Sequence, residues 1–279
     1  MNLPTSIDYP IIAIGDLHGQ IEWLDRLVTR LERLPELPAA RLVFLGDLVD
    51  RNDSVKSLVS RVMELIASKP GSTCVMGNHD LALIRAAGLD GLPSDWWARR
   101  YADNYDHVPT FRSYLGKVPE YYSAEDWRND LRLLRYAIPP DQRRFLAGLP
   151  WVAEAGGHLF LHNGLSPELE CPATVQVECL KRRIWTRESV NPRFGTDTDR
   201  LFTTEYPVWL GADKKLSANP LPLPGKVQVT GHVRIDEPEI DRVRIRIDTS
   251  GGVREPLTAC VLRGPNEPPR FVFSNAQSD

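Results

Sequence analysis

Residues 11–19, Ile11-Ile12-Ala13-Ile14-Gly15-Asp16-Leu17-His18-Gly19, join a short apolar run to a glycine-flanked loop bearing a carboxylate and an imidazole. Four consecutive apolar residues closed by glycine read as a strand buried on both faces. The loop that follows such a strand is where ligands collect in open α/β sheets. The arrangement recurs twice. Leu42-Val43-Phe44-Leu45 leads into Gly46-Asp47-Leu48-Val49-Asp50-Arg51, and Thr73-Cys74-Val75-Met76 leads into Gly77-Asn78-His79-Asp80. Asp16, Asp47 and Asn78 stand 31 residues apart in succession. That spacing is one strand–loop–helix unit returning to the same sheet edge. Residues 20–34 carry a helical stripe of Ile21, Leu24, Leu27, Val28, Leu31 and Leu34, and residues 54–69 carry a second one from Val55 to Ile66. Ser54 is placed to cap the second helix, Pro70-Gly71 closes it, and a third helix is expected from Asp80 to Ala87. The helices differ in sequence and the pattern then stops, so the segment is β-α-β-α-β rather than a solenoid.

Two further motifs follow strands. Leu159-Phe160-Leu161 ends at His162-Asn163-Gly164, and Val227–Thr230 ends at Gly231-His232. Four of the chain's six histidines fall in these motifs; His107 and His158 do not and read as surface or strand-edge residues. Carboxylate, imidazole and Asn carbonyl donors suit Mn²⁺, with Fe or Zn²⁺ as alternatives. Five motifs supply donors enough for two ions. Two neighbouring ions can share a carboxylate and a water, acidify that water, and grip phosphoryl oxygens during in-line displacement. Asp47 lies between the other two donor sets and is the natural shared ligand.

The rest of the chain sets the frame. Residues 89–150 crowd aromatics (Trp96, Trp97, Tyr101, Tyr105, Phe111, Tyr114, Tyr121, Tyr122, Trp127) among charges, with helical patches at Arg128–Tyr136 and Asp141–Leu146. They read as a helical insertion on the sheet, its aromatics packing a small core of their own. Cys179–Trp185 is a basic helical or extended piece, and Lys181-Arg182-Arg183 within it reads as a solvated face. Residues 191–225 look like loop. Arg242–Ile247 alternates Arg with Val or Ile, the period of a strand with one wet face. Leu257–Leu262 and Phe271–Phe273 add strands. Without a clean polar linker, residues 1–279 are expected to form a single α/β domain of two packed β-sheets flanked by helices.

The chain has 279 residues, 42% hydrophobic and 25% charged, with a net charge of −3. A large core is affordable at this length, and the acidic balance argues against general nucleic-acid or membrane-surface binding. No apolar run approaches the ~18 residues of a membrane span, and residues 1–8 lack the pattern of a signal peptide. Cys74, Cys171, Cys179 and Cys260 form no CxxC pair, which fits a reduced cytoplasmic protein with unpaired thiols.

The order GDLHG, GDLVDR, GNHD, HNG and GH resembles the calcineurin-like metallophosphoesterase superfamily, and within it the bacterial form of the phosphoprotein phosphatases. The resemblance runs from Asp16 to His232 and implies an α-β-β-α sandwich. It implies that Asp16, His18 and Asp47 hold a first metal, and that Asp47, Asn78, His162 and His232 hold a second. His79 would protonate the leaving oxygen with Asp50 orienting its ring. Arg51 would clamp phosphate oxygens, joined by Arg187 of Trp185-Thr186-Arg187. Two departures stand out. Asn52 replaces the usual Gly after Arg51, acceptable if that position takes a positive φ, and Asp80 replaces the usual Glu. Asp248-Thr249-Ser250-Gly251-Gly252 resembles the bacterial branch, and Asp248 is expected either to support the site or to serve a turn. The implied activity is hydrolysis of phosphomonoesters, phosphoserine, phosphothreonine or phosphotyrosine in proteins, by a metal-activated water. The competing reading is a symmetrical dinucleoside tetraphosphate hydrolase, an enzyme that carries a small apolar residue where this chain has Asp50. A non-catalytic scaffold would have no use for an intact ligand set with His79.

Overall fold

A computed structural model describes residues 2–119, 123–167, 169, 171–183, 207–211 and 219–275. The first half runs β1 (Ile11–Ile14), α1 (Ile21–Leu31), β2 (Arg41–Phe44), α2 (Val55–Ser68), β3 (Thr73–Cys74) and α3 (Asn78–Ala87). β1 pairs with β2 and β2 with β3, all parallel, as the 31-residue spacing predicts. Four helices follow: α4 (Asp95–Asn104), α5 (Val108–Leu115), α6 (Ala124–Ala137) and α7 (Pro140–Gly148). Then come β4 (Val152–Ala155), β5 (His158–Leu161), α8 (Ala173–Arg182), β6 (Val227–Thr230), β7 (Glu239–Ile240), β8 (Arg244–Arg246), β9 (Thr258–Leu262) and β10 (Arg270–Phe273). A 3-10 turn spans Val208–Leu210.

The strands form two five-stranded sheets, β10-β9-β1-β2-β3 and β4-β5-β6-β8-β7. Period-two alternation divides the core between them. Ile11 and Ala13 join Val43, Phe160, Val229 and Ile245 in the layer between the sheets. Ile12 and Ile14 turn the other way, into the layer that holds Leu24 and Leu27 of α1 and Leu58 and Val62 of α2. Both faces of β1 are therefore dry, which is why its sequence is an unbroken apolar run. Helices on the outside complete an α-β-β-α sandwich, with α8 against β4. The five motifs follow β1, β2, β3, β5 and β6, so the parallel pairings bring all five loops to the carboxyl ends of their strands.

Several expectations need correction. β3 is two residues long, not four; Met76 instead donates its backbone N–H to the Pro150 carbonyl at 2.7 Å. α3 begins two residues early, so Asn78 and His79 sit in its first turn. Ser54 precedes α2, but its hydroxyl makes no cap. The described part of the basic piece expected at 179–185 is the end of α8 (Ala173–Arg182) and its C-cap, Arg183; residues 184 and 185 lie outside the described residues. Lys181 there pairs with Glu154 at 2.5 Å and Arg183 donates to the Ala147 carbonyl at 2.8 Å, leaving Arg182 exposed. His107 and His158 are 4% exposed, buried rather than superficial. His107 packs among Tyr101, Phe111 and Trp127, and His158 is bonded to the Tyr9 hydroxyl at 2.5 Å. The wet arginine face also fails at Arg244, which is 4% exposed. Trp185, Thr186, Arg187, Tyr121 and Tyr122, and much of the 191–225 loop, lie outside the described residues.

Candidate metal centre

The centre is assembled from loops under backbone strain. Among the described residues six non-glycine residues have positive φ, and five of them, His18, Asp47, Asp50, Arg51 and His232, belong to this site. Such conformations are costly for side chains with a Cβ and persist where the surroundings over-determine them. Asn52 is not among them, contrary to expectation. It replaces the usual glycine by bonding instead: its Nδ2 donates to the carbonyls of His18 and Gly252, each at 2.7 Å. Two glycines are required by close approach. A Cβ on Gly77 would stand 2.2 Å from Asp47 Oδ1, and one on Gly231 would stand 2.0 Å from Asp16 Oδ1.

Asp47 is central. Its Oδ2 lies 3.4 Å from His18 Nε2 and 3.4 Å from His162 Nε2. Its Oδ1 accepts the backbone N–H of His79 at 2.9 Å. His18 and His162 are both oriented from behind: each Nδ1 donates to a backbone carbonyl at 2.8 Å, Val49 and Leu45 respectively. That leaves both Nε2 lone pairs turned toward one carboxylate oxygen. His18 Nε2 is buried without a hydrogen-bond partner. On the other side Asn78 Oδ1 lies 2.9 Å from His162 Nε2 and 2.9 Å from His232 Nδ1. Asp16, 1% exposed, accepts the backbone N–H of His232 at 3.0 Å.

These residues fit divalent ions. Ligand atoms bound at about 2.1 Å in tetrahedral array stand roughly 3.4 Å apart, the separation of Asp47 Oδ2 from each flanking imidazole. An orphaned buried imidazole nitrogen and lone pairs converging on an amide oxygen need a cation between them. Charge points the same way. Burial, then repulsion by Asp248, raises the Asp16 carboxyl well above its ordinary range. Burial raises Asp80 to about 7 and Asp248 to about 6. Burial lowers His18 to about 4 and His232 to about 3. At His162 burial also lowers the pKa, but Asp47 and Asp16 outweigh it and bring it to about 10. The protein's own charges thus leave buried carboxylates short of positive partners, a demand that bound dications meet.

His79 stands apart from the ligands although its ring lies within 4.8 Å of the donor atoms of His18 and Asp47. Its Nδ1 donates to Asp50 Oδ2 at 2.7 Å, and Arg51 Nη2 lies 3.3 Å from its Nε2. A guanidinium at that nitrogen opposes a metal ion and favours an anion. Asp50, fully buried, is held in turn: its Oδ1 accepts the hydroxyls of Tyr101 and Thr110, each at 2.6 Å. The Tyr105 ring meets His79 edge-on with centroids 4.8 Å apart. Tyr101 and Tyr105 were legible only as members of an aromatic-rich stretch, and Thr110 had no signal of its own. The 248–252 loop supports the other flank. Ser250 Oγ donates to the Asp16 carbonyl at 3.1 Å, Gly251 O accepts from Arg51 Nη1, and Asp248 Oδ1 accepts the Gly251 N–H at 2.7 Å. Asp248 therefore makes a turn and adds charge beside the site at once. Asp80 ties two motifs together, accepting from Leu48 N at 2.9 Å and Gly77 N at 3.1 Å.

The fold and the donor set define a phosphoesterase of the two-metal class. The family model of the calcineurin-like phosphoesterases matches residues 9–190, and the chain belongs to this binuclear metal-dependent family. The symmetrical bis(5'-nucleosyl)-tetraphosphatase of Pseudomonas putida (strain W619) is 30% identical over 139 residues, covering 50% of this chain and 42% of that protein. The serine/threonine-protein phosphatase 4 catalytic subunit of Eremothecium gossypii is 26% identical over 168 residues, covering 59% of this chain and 42% of that protein. The matches thus span about two fifths of each relative's length. The crystal structure of a candidate diadenosine tetraphosphatase superposes with a TM-score of 0.53 at 19% identity, covering 97% of this chain and 98% of the other. A cold-active protein tyrosine phosphatase gives 0.53 at 15%, covering 97% and 81%. At these identities the superpositions establish the shared fold.

Proposed function

We propose that this chain hydrolyses phosphomonoesters, with phosphoserine and phosphothreonine (or phosphotyrosine) of proteins as its substrates. In this reading Asp16, His18 and Asp47 hold one ion, and Asp47, Asn78, His162 and His232 hold the other, with Mn²⁺ as the expected metal and the cytoplasm as the place of action. Bound there, two dications supply an activated water and positive charge for the phosphoryl oxygens.

The chain's own residues do the rest. Arg51 presents a permanently charged fork to a phosphoryl group beside His79, with Arg187 expected to join it. His79 Nε2 faces the same spot and delivers a proton to the departing oxygen. Asp50 fixes the ring's tautomer and provides its counter-charge once protonated. The observation that carries the proposal is the buried Asp50–His79 pair, 2.7 Å apart and anchored by Tyr101 and Thr110. A serine or threonine alkoxide is a poor leaving group and gains most from a proton donor. A polyphosphate is far less basic and gains little.

The second reading, hydrolysis of dinucleoside tetraphosphates, is favoured by the similarity to the Pseudomonas putida enzyme. A Mn²⁺-supplemented comparison of phosphopeptides with diadenosine tetraphosphate separates the two. Phosphopeptides are expected to show the higher kcat/KM. A tenfold or greater preference for the dinucleotide would transfer the proposal to the second reading.

A further inference from the structure

Helices α3, α4 and α6 enclose an open cavity of about 500 Å³ away from the metal centre. Its floor is apolar, formed by Ala86 and Ala87 of α3, Ala98 of α4 and Leu131 of α6. Its rim is arginine: Arg128, Arg132 and Arg135 line it from α6, at spacings of four and three that share one helix face. A second hollow of about 530 Å³ starts from the same Arg135 and continues past Arg143 and Arg144 of α7. Five arginines therefore border two neighbouring hollows that share Arg135, on a chain whose net charge is −3.

The acidic groups on this groove are already paired. Asp95 bonds Arg128 at 3.0 Å, and Asp90 bonds Arg85 at 3.0 Å. Arg132 donates to Asn129 Oδ1 on its own helix, at 3.2 Å. Arg132, Arg135, Arg143 and Arg144 make no ion pair among the described residues. Beside them α6 exposes Leu133 and Tyr136, 46% and 72% accessible. Unpaired guanidiniums over an apolar floor match a segment that alternates carboxylates with apolar side chains. They match a nucleic acid less well, since the chain carries a net charge of −3, whereas nucleic-acid-binding domains are as a rule basic overall as well as locally, and the floor between the arginines is apolar.

We propose that this groove docks an acidic peptide segment of the phosphoprotein substrate, outside the phosphorylated residue itself. The proposal rests on the phosphoprotein reading of the metal centre. The helices connect the two places. α3 starts at the centre with Asn78 and His79 and reaches the groove at Ala86 and Ala87, eight residues or roughly 12 Å later. α4 returns, from Asp95 on the groove to Tyr101, which bonds Asp50, with Tyr105 just beyond its end. An extended peptide advances about 3.3 Å per residue, so the acidic cluster should lie at least about four residues from the phosphorylated side chain. Each exposed pair is weak and salt-screened, so the arginines act together and their effect falls on KM.

The test uses the full chain with Mn²⁺. A fluorescein-labelled, unphosphorylated peptide carrying four Asp/Glu residues among Leu and Ala is titrated by anisotropy against a version with Asn/Gln in their place. The acidic probe should bind roughly tenfold more tightly at low salt, and Arg132→Glu with Arg135→Ala should remove that margin. The variant should keep wild-type turnover of an aryl phosphate and its melting temperature. Phosphopeptides with the acidic cluster five to eight residues from phosphoserine should show a KM several-fold lower than neutral ones, with kcat unchanged, and the variant should abolish the difference. No preference for the acidic probe, or a preference indifferent to Arg132, overturns the groove. Stronger competition by a single-stranded oligonucleotide of equal charge also overturns it. Arg132-dependent probe binding with no turnover of any phosphopeptide would fell the substrate reading and leave the groove as a peptide site; phosphopeptide turnover without Arg132 dependence would fell the groove alone.

Discussion

Asp47 Oδ2 faces the imidazoles of His18 and His162 at the same 3.4 Å, and among the described residues Asp47 is the member shared by the His18 and the His162–His232 groups. Asp47→Asn is therefore expected to cost more activity than any other single ligand change, with elemental analysis finding fewer than two ions per chain. Full occupancy with normal turnover would remove Asp47 from its bridging role. His79→Asn tests the proton donor. It should lower kcat by about 10²–10⁴-fold for alkyl phosphates while both ions stay bound, and the loss should shrink for aryl phosphates with good leaving groups. An equal loss on both kinds of ester would count against the acid role. Tyr101→Phe deletes one of two hydroxyls that hold Asp50 Oδ1. It keeps the ring's packing, so the fold should persist, while kcat for phosphoserine falls roughly three- to thirtyfold and KM does not move. If aryl and alkyl esters suffered alike, Tyr101 would be packing the segment and nothing more.

At the scale of elements, α4, α5 and α6 hold the support of the Asp50–His79 pair. Trp127 of α6 is 6% exposed, donates its indole N–H to the Ala98 carbonyl at 2.8 Å, and packs on Tyr101, His107 and Phe111. Trp127→Ala should destabilise the chain by about 3–5 kcal/mol, and activity should fall with it because Tyr101 loses its backing. A melting curve superimposable on wild type would show that these helices do not depend on the indole. The aromatics of this stretch were expected to pack a core of their own; Trp97, Tyr101, Tyr105, Phe111, Tyr114 and Trp127 are buried instead in the larger core that also holds α1 and α2. That Tyr101 and Tyr105 also reach the centre could not be seen locally, because they lie 51 residues from Asp50 and 26 from His79 respectively.

For the whole molecule, the buried acids Asp16, Asp47, Asp80 and Asp248 crowd the space where the two sheets' loops meet, each no more than 1% exposed. Ions bound there stabilise the folded state by mass action, about 2.7 kcal/mol when free metal is 100-fold above Kd. Chelation should therefore lower the melting temperature, and restoring Mn²⁺ should recover it in calorimetry. An unchanged transition would mean the centre does not load metal under those conditions. The described helices include none long and apolar enough to cross a membrane, and the four cysteines are buried and form no disulfide. Strand, helix and motif order were readable from the chain alone, because period-two and period-3.6 patterns record which face of each element is dry, and glycine-flanked Asp and His mark the strand ends. The residues that the structure gathers at the centre, Asp16, His18, Asp47, Asn78, His162 and His232, were readable for the same reason. What needed the tertiary structure were the partnerships beyond the five motifs. The anchoring of Asp50 by Tyr101 and Thr110, the 248–252 loop behind Arg51, the burial of His107, His158 and Arg244, and the arginine groove on α6 arise from packing between elements. A local sequence pattern records how one element meets solvent and core, but not which neighbour it meets there.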